Sequence, residues 1–186
     1  MTTIPDIRVA TRADRDALRA LQETSFRELG LAYYDEDVIE SFITHVGTMD
    51  DALIDDGTFF VAVLDGLTVG CGGWSVRTPN YAAHATEDAP VPARPAATVR
   101  SIFVDPAFAR RGIARRVMAR VEAEIAAAGF ERASLGATLS GVPLYRRTGY
   151  RSRGPLVVRL PHELLFVGIR MEKRFAHART GLAPAA

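Results

Sequence analysis

The chain has 186 residues and a formal net charge of +1, from 23 lysines and arginines against 22 aspartates and glutamates. This balance excludes a general electrostatic attraction to nucleic acid or to an anionic membrane, because such attraction needs a clear excess of positive charge. The single cysteine, Cys71, excludes an internal disulfide and a cysteine-based metal cluster.

The size of the chain predicts one domain, over residues 1–175, with a hydrophobic fraction of 48% that suffices for a substantial core. Residues 176–186 are predicted to be a flexible tail. No apolar run approaches the roughly 18 residues of a membrane span, and no signal-like segment is seen, so a cytoplasmic protein is expected.

The first predicted elements are a strand and two helices. The strand covers residues 7–10, and Thr11 with Asp14 then forms an approximate capping box for a helix that ends near Gly30. A second helix is predicted over residues 35–46, because its apolar residues recur on one face: Val38, Ile39, Phe42, Ile43 and Val46.

A β-hairpin is predicted by two apolar runs, residues 58–64 and 67–75, that flank the turn dipeptide Asp65-Gly66. Three glycines weaken the second run as a packed strand: Gly70, Gly72 and Gly73. Two interpretations stay open, a bulge or bound ligand beside the glycines, or relief of crowding against a neighbouring helix. The next segment, residues 78–97, has four prolines and little periodicity and is predicted to be a long loop.

A strand, a turn and a long helix follow one another over residues 99–128. The strand ends at the turn dipeptide Asp105-Pro106. Beyond it, apolar residues recur every three or four positions: Ile113, Val117, Val121, Ile125 and Ala128. The helix is therefore predicted to begin near Gly112 and to end at Gly129.

The start of this helix carries an unusual charge. A helix N-terminus is already partly positive, yet four basic side chains crowd it: Arg110, Arg111, Arg115 and Arg116. Each misplaced cation costs roughly 0.3–1 kcal/mol before solvent screening. The arrangement indicates either a solvated arginine-rich helix end or a polyanion site, in which Gly112 admits the anion and the amides of Gly112, Ile113 and Ala114 bind it.

The remaining elements are predicted to be a strand over residues 133–139, a short helix over residues 142–147, and two final strands over residues 156–160 and 164–171. The predicted order is thus a strand, two helices, three strands, a helix, a strand, a helix and two strands. This order is typical of a mixed α/β layout with one mostly antiparallel sheet.

Two motifs carry a family resemblance. Residues 109–114 read Ala-Arg-Arg-Gly-Ile-Ala, which is similar to the acyl-CoA loop of the GNAT superfamily. Residues 138–150, which end in a Tyr and a Gly-aromatic pair, resemble that family's fifth strand and following helix. The resemblance covers about residues 7–174 and implies an α/β (α+β mixed) fold. Its central, mostly antiparallel twisted sheet is expected to be splayed between strands 4 and 5 and flanked by helices.

The resemblance also implies an activity. The domain is expected to be an acyltransferase that moves an acetyl group from acetyl-CoA, its co-substrate, to a primary amine of a small molecule or peptide by direct attack. No metal, nucleic acid or membrane is expected to take part, and a homodimer is possible in this family. The alternative is a CoA-binding regulatory or sensor module without turnover.

Site residues follow from the same resemblance. Tyr145 matches the general acid that protonates the departing thiolate, and a phenol of ordinary pKa near 10 suits this role. The backbone N–H of Val104 is expected to bind the acyl carbonyl oxygen. The residues implied to bind acetyl-CoA are Ile102, Phe103, Val104, Arg110, Arg111, Gly112, Ile113, Ala114, Arg115 and Thr138.

The sequence departs from the family's pattern at three positions. Ala109 replaces a polar residue of the loop, Thr138 stands where many members have Asn, and Thr98 stands where many have a glutamate base. Other candidate bases, each also readable as a surface residue, are Glu23, His84, Glu87 and Asp88. Aromatic residues that line an amine pocket, or else belong to the core, are Tyr33, Tyr34, Trp74 and Tyr81.

Overall fold

The computed structural model describes residues 4–86 and 97–175. Glu87, Asp88 and the predicted tail, residues 176–186, lie outside this part of the chain. Seven strands form one sheet: β1 (Asp6–Val9), β2 (Phe59–Leu64), β3 (Leu67–Ser75), β4 (Ala97–Val104), β5 (Arg132–Ala137), β6 (Arg151–Arg159) and β7 (Leu165–Arg174). The helices are α1 (Arg15–Gly30), α2 (Glu36–His45), α3 (Ala52–Asp55), α4 (Ile113–Ala127) and α5 (Val142–Arg147).

The sheet has the strand order β1-β2-β3-β4-β5-β7-β6, and every neighbouring pair is antiparallel except β4 and β5. These two strands run parallel and pair only at Ala97 with Ala133 and at Thr98 with Ser134. Their pairing stops there, although β4 continues to Val104. The predicted mixed fold, with a mostly antiparallel sheet splayed between strands 4 and 5, is confirmed.

A bulge in β4 changes which side chains face each side of the sheet. Between Cys71 and Gly73 of β3, β4 advances by three residues, from Phe103 to Arg100. The additional residue is Ser101, whose positive φ of 53° is uncommon for a residue with a side chain. As a result, Arg100 and Phe103 lie on the face of α1 and α2, as the ion pair of Arg100 and the packing of Phe103 show.

The opposite face of the sheet packs against α4. Ile113, Val117 and Val121 of this helix are buried in one cluster with Val99 and Val104 of β4. Separate apolar clusters join α1 to β2 and β3, and join α1 and α2 to β6 and β7. The helices therefore cover both faces of the sheet, as expected.

The glycines of β3 are explained mainly by crowding. A Cβ at Gly72 would lie 2.8 Å from the Val117 side chain of α4 and would overlap the Ile102 side chain of β4. At Gly70 a Cβ would lie 2.8 Å from the side chain of Ile113, at the start of the same helix. Close approach of α4 to β3 thus accounts for two of the glycines, and the bulge lies next to them.

The predicted hairpin is confirmed, with Asp65 and Gly66 both at positive φ, as a tight two-residue turn requires. Several elements differ from expectation, since β4 begins at Ala97, the last residue of the predicted loop, and β7 continues to Arg174. The short helix α3 was not predicted, because its four residues hold only the buried pair Leu53 and Ile54. Strand β6 begins at Arg151, earlier than predicted. Its first residues are polar and exposed, so the sequence shows no apolar alternation there.

Within the described ranges, no helix has the length and apolar character needed to cross a membrane.

Candidate active site

A cavity of about 120 Å³ opens where β4 and β5 separate. It lies on the α1 and α2 side of the sheet, between the bulged part of β4 and the end of β5. Its lining includes Phe26, Phe42, Asp50, Tyr81, Arg100, Ser101, Phe103, Gly136, Thr138, Tyr145 and Phe166. Three predicted site residues from different segments, Phe103, Thr138 and Tyr145, thus lie at one opening.

Tyr145 lies on α5, and its side chain is buried except where it lines the cavity. Its ring contacts the ring of Tyr150 edge-on, with centroids 6.0 Å apart. Its hydroxyl makes no hydrogen bond to any described residue. Burial is the main cause that raises the pKa of Tyr145 above its ordinary value, and the nearby Tyr81 adds to the shift. The phenol therefore stays protonated and available as a donor throughout the neutral range.

Thr138 forms the turn that leads from β5 into α5. Its hydroxyl accepts a hydrogen bond from the Gly141 backbone N–H at 3.2 Å and lies 3.0 Å from the Ser140 hydroxyl. Because a Cβ at Gly141 would lie 2.9 Å from the Tyr145 ring, a residue with a side chain would displace that ring. This local packing sets the direction in which Tyr145 enters the cavity.

The N-terminus of α4 presents free backbone N–H groups. Gly112 is the N-cap at a φ of 82°, and the first helical hydrogen bond runs from Arg116 N–H to its carbonyl at 3.1 Å. The N–H groups of Gly112, Ile113, Ala114 and Arg115 have no acceptor among the described residues. A Cβ at Gly112 would meet no atom within 4 Å, so the space in front of these groups is open.

The predicted basic residues surround this N-terminus. Arg110, Arg111 and Arg115 are exposed, and none is paired with a carboxylate in the described part of the chain. Arg111 lies over the ring of Phe108, 5.1 Å from its centroid. The nearby Asp105 accepts a hydrogen bond from the Ala107 N–H at 2.8 Å and caps the turn before the helix. The excess positive charge predicted at this end is therefore uncompensated.

Three residues of β4 were predicted to bind acetyl-CoA, and they lie just before the segment that leads to α4. The side chain of Ile102 packs towards α4, that of Phe103 lines the cavity, and that of Val104 is buried. The Asp105 N–H donates to the Val69 carbonyl of β3 at 3.1 Å. Because successive N–H groups of a strand alternate in direction, the N–H of Val104 points to the side where β5 has separated.

None of the described candidates for a base lies at the cavity. The Thr98 hydroxyl is 3.3 Å from that of Ser134 in the paired part of the strands. Glu23 forms an ion pair with Arg27 on α1, and His84 is exposed outside the cavity lining. The carboxylate that does line the cavity is that of Asp50, which the sequence did not indicate because it lies in an irregular connection.

Cys71 is buried and does not line the cavity, and burial raises the pKa of its thiol to about 12. A thiol in this environment is a poor nucleophile, because little of it ionises at neutral pH. Of the predicted aromatic residues, Tyr81 lines the cavity. Tyr34 instead joins two elements, because its hydroxyl accepts from the Leu139 N–H at 2.7 Å and donates to the Val167 carbonyl at 3.0 Å. Trp74 packs against Phe130, and Tyr33 is exposed.

Comparison with known proteins decides the family. Residues 55–152, more than half of the chain, match the acetyltransferase (GNAT) domain. The chain belongs to the GNAT acetyltransferase family. It is an acyltransferase, and the resemblance to the GNAT superfamily is confirmed. The matched segment includes β2 to β5, the α4 N-terminus and Tyr145.

This acetyltransferase is 28% identical over 156 residues to an IAA acetyltransferase of Azospirillum brasilense, a match that covers 82% of the chain and 89% of the relative. Its fold is similar to that of PaiA N-acetyltransferase from Thermoplasma acidophilum in complex with coenzyme A, with a TM-score of 0.66. That match has 15% identity and covers 92% of this chain and 99% of the other.

A GNAT family acetyltransferase from Brucella melitensis, in complex with acetyl-CoA, matches with a TM-score of 0.57 and 19% identity. The match covers 93% of this acetyltransferase and 89% of the other chain. Both solved structures show that the described strands and helices form the fold of this family.

Proposed function

We propose that this acetyltransferase transfers an acetyl group from acetyl-CoA to a primary amine of a small molecule or peptide. The observation that carries the proposal is the separation of β4 and β5, where Tyr145 lines the resulting cavity and its hydroxyl has no hydrogen-bond partner among the described residues. The reaction also requires a binding site for the phosphates of acetyl-CoA, and the free N–H groups at the α4 N-terminus provide one. Structures of similar fold hold CoA or acetyl-CoA.

The donor site is proposed to run from the α4 N-terminus to the cavity. The amides of Gly112, Ile113 and Ala114 bind the pyrophosphate, and the open space at Gly112 lets it approach. Arg110, Arg111 and Arg115 balance the remaining negative charge. The backbone of residues 102–104 and the turn at Thr138 flank the arm that leads to the thioester. Because the Thr138 hydroxyl is held by its own turn, its backbone and methyl group serve as the contacts.

Direct transfer needs no reactant other than acetyl-CoA and the amine. Acetyl-CoA supplies an activated acyl group whose C–S bond breaks as a new C–N bond forms to the amine. The Val104 N–H stabilises the oxyanion that develops at the carbonyl. Tyr145 donates its proton to the departing thiolate, and the proton that the amine loses restores the phenol through solvent. The products are the N-acetyl amine and the thiol of CoA.

Thiol release from acetyl-CoA across a panel of primary amines tests this proposal. Wild-type protein is expected to release thiol in an amine-dependent manner, and the Tyr145→Phe variant is expected to do so much more slowly. A protein that binds acetyl-CoA but turns over none of the amines would instead act as a regulatory or sensor module.

Four statements about the whole protein stay predictions from the sequence. They are the single domain over residues 1–175, the flexible tail over residues 176–186, the cytoplasmic location and the homodimer. Size-exclusion chromatography with light scattering measures the last of these. A mass of one chain at micromolar concentration would contradict the dimer.

A further inference from the structure

The cavity lies on the side of the sheet opposite the proposed phosphate site. Phe26 of α1 and Phe42 of α2 line it, whereas α4 packs against the other face of the sheet. Tyr145 lines the cavity where β4 and β5 separate, at the gap between the two faces. A donor bound at the α4 N-terminus therefore reaches this gap from one face, which leaves the cavity to the second substrate, the acetyl acceptor.

The cavity offers no unpaired charge to an acceptor. Among the described lining residues, the charged ones are Asp50 and Arg100, and they form an ion pair with each other. The Arg100 Nη2 also donates to the Arg77 carbonyl, and its Nε atom is buried beyond the reach of a ligand. A charge on the body of the acceptor would thus lose its water and gain no partner of opposite charge, which is costly.

Two hydroxyl groups of the lining are already bonded within the protein. The Ser101 hydroxyl donates to the Thr48 carbonyl at 3.2 Å. The Thr138 hydroxyl accepts from the Gly141 N–H at 3.2 Å. Both bonds hold the backbone at the edges of the gap, so neither hydroxyl is free to select a polar substituent on the acceptor.

The wall formed by α1, α2 and β7 is aromatic. The rings of Phe26, Phe42 and Phe166 contact one another, with centroids between 4.5 and 6.0 Å apart, and all three line the cavity. The cavity volume of about 120 Å³ is close to that of an apolar protein cavity of about 150 Å³ that binds benzene. An apolar group of about six carbons therefore fits this space, and its removal from water is favourable.

We infer that the acetyl acceptor is a small primary monoamine with an uncharged apolar body of about six carbons, which packs against Phe26, Phe42 and Phe166. The inference rests on the acetyl transfer proposed above and names the acceptor of that same site. The amine lies at the Tyr145 end of the cavity, and the body extends from it to the aromatic wall. A carboxylate or a second ammonium on that body makes a poor substrate.

Three amines of matched length test this inference with wild-type protein. The chains of n-hexylamine, cadaverine and ε-aminocaproate carry the same amine and end in a methyl group, an ammonium and a carboxylate. Initial rates of thiol release from acetyl-CoA give kcat/KM for each. We expect the value for n-hexylamine to exceed each of the others by at least about 10-fold, because the terminal charges lose water without gaining a partner. The remote charge hardly alters the reacting amine, so amine reactivity does not explain such a difference.

A series of chain lengths measures the apolar contact itself. Ethylamine, n-butylamine and n-hexylamine have the same amine and differ only in the number of methylene groups. We expect kcat/KM to rise about 4-fold with each added carbon, the usual gain for a buried methylene. Values that do not rise along the series would overturn the inference.

The variants Phe42→Ala and Phe130→Ala form a matched pair. Both phenylalanines are half-buried, but Phe42 lines the cavity, whereas Phe130 packs against Trp74 and does not. We expect Phe42→Ala to lower the ratio of kcat/KM for n-hexylamine to that for ethylamine by about 10-fold, and Phe130→Ala to change this ratio less than about 3-fold. Should Phe42→Ala fail to fold, the two wild-type comparisons decide.

The outcomes separate this inference from the function on which it rests. Turnover of cadaverine or ε-aminocaproate at least as fast as that of n-hexylamine overturns the inference and leaves acetyl transfer standing. An unchanged ratio in folded Phe42→Ala also overturns it, because the body of the acceptor then does not contact the aromatic wall. Thiol release with none of a broad panel of amines, despite acetyl-CoA binding, overturns the proposed transfer and this inference with it.

Discussion

The hydroxyls of Thr98 and Ser134 lie 3.3 Å apart at the last position where β4 and β5 pair. Beyond this point the two strands separate, and the cavity with Tyr145 at its wall occupies the gap. Thr98 stands at the position where the family resemblance implies a glutamate base, and in this structure it joins the two strands. The position thus marks where the sheet opens, and it supplies no base to the reaction.

Replacement of Gly112 by glutamate is expected to abolish CoA binding. The new side chain enters the open space in front of the free amides and places a negative charge there. The backbone of residue 112 has a positive φ, which costs a residue with a side chain roughly 1–2 kcal/mol of folding stability. Gly129→Glu is the matched control, since Gly129 ends the same helix at a similar φ with no atom near its Cβ. Calorimetry should show at least a 100-fold weaker affinity for Gly112→Glu and less than a 3-fold change for Gly129→Glu. Equal affinities in the two variants would refute the phosphate site.

The Tyr145→Phe variant is expected to lower kcat by about 100-fold, the lower end of what a general acid contributes. Its affinity for CoA should change less than about 3-fold, because only the hydroxyl is removed. Tyr150→Phe is the control, because Tyr150 is also buried and belongs to the same ring pair but does not line the cavity. Similar kcat values for both variants would remove Tyr145 from the reaction.

The pH dependence of kcat offers a separate test of Tyr145. Burial raises the pKa of its phenol, so the protonated form that donates to the thiolate persists to higher pH than an ordinary tyrosine would allow. We therefore expect no falling limb of kcat between about pH 7 and 9.5. A fall in kcat within that range, absent from Tyr145→Phe, would show that the phenol ionises there.

The thiol of Cys71 is expected to be unreactive in the folded protein. Burial raises its pKa to about 12, so only about one molecule in ten thousand carries a thiolate at pH 8. Labelling with a disulfide reagent should be at least 100-fold slower in native protein than in guanidinium chloride. Fast labelling of native protein would mean that the core around Cys71 opens readily.

Asp14 is expected to stabilise the start of α1 in a pH-dependent way. The Arg8 guanidinium is the main cause that lowers the pKa of this carboxyl, and the Thr11 backbone N–H and hydroxyl also donate to it. Because the folded pKa is depressed, the stabilisation is present above about pH 4 and is lost as the pH falls further. Asp14→Asn should cost about 1 kcal/mol of folding stability at pH 7, because the neutral amide loses the ion pair with Arg8, and this is the upper end for such a pair near the surface.

Urea denaturation of wild type, Asp14→Asn and Asp16→Asn measures this effect. Asp16 lies in the same region, is exposed and makes no ion pair among the described residues, so its variant controls for the lost charge. The difference between wild type and Asp14→Asn should shrink between pH 6 and pH 3. A difference that stays constant over this range would show that it does not depend on ionisation.

The α4 segment was the most predictable part of the fold and of the site. Its turn dipeptide, glycine and regular apolar spacing are local features, and the structure places the helix start at Ile113 as expected. The position of Tyr145 at the cavity could be anticipated only through the family resemblance. Local spacing alone indicated a short helix there and no function.

The pair of Asp50 and Arg100 could not be predicted, because the two residues are 50 positions apart and meet only through the fold. The bulge at Ser101, which turns Arg100 to the cavity, has no local signal in the sequence. The glycines of β3 were left with two interpretations, since crowding by α4 is a contact between distant segments.

A crystal structure of the protein with bound CoA tests the central claim most directly, through the distance between the CoA sulfur and the Tyr145 hydroxyl. The account predicts a separation within about 3.5 Å, with the pyrophosphate on the amides of Gly112, Ile113 and Ala114. A sulfur atom beyond hydrogen-bond reach of Tyr145, or phosphates bound away from the α4 N-terminus, would contradict it.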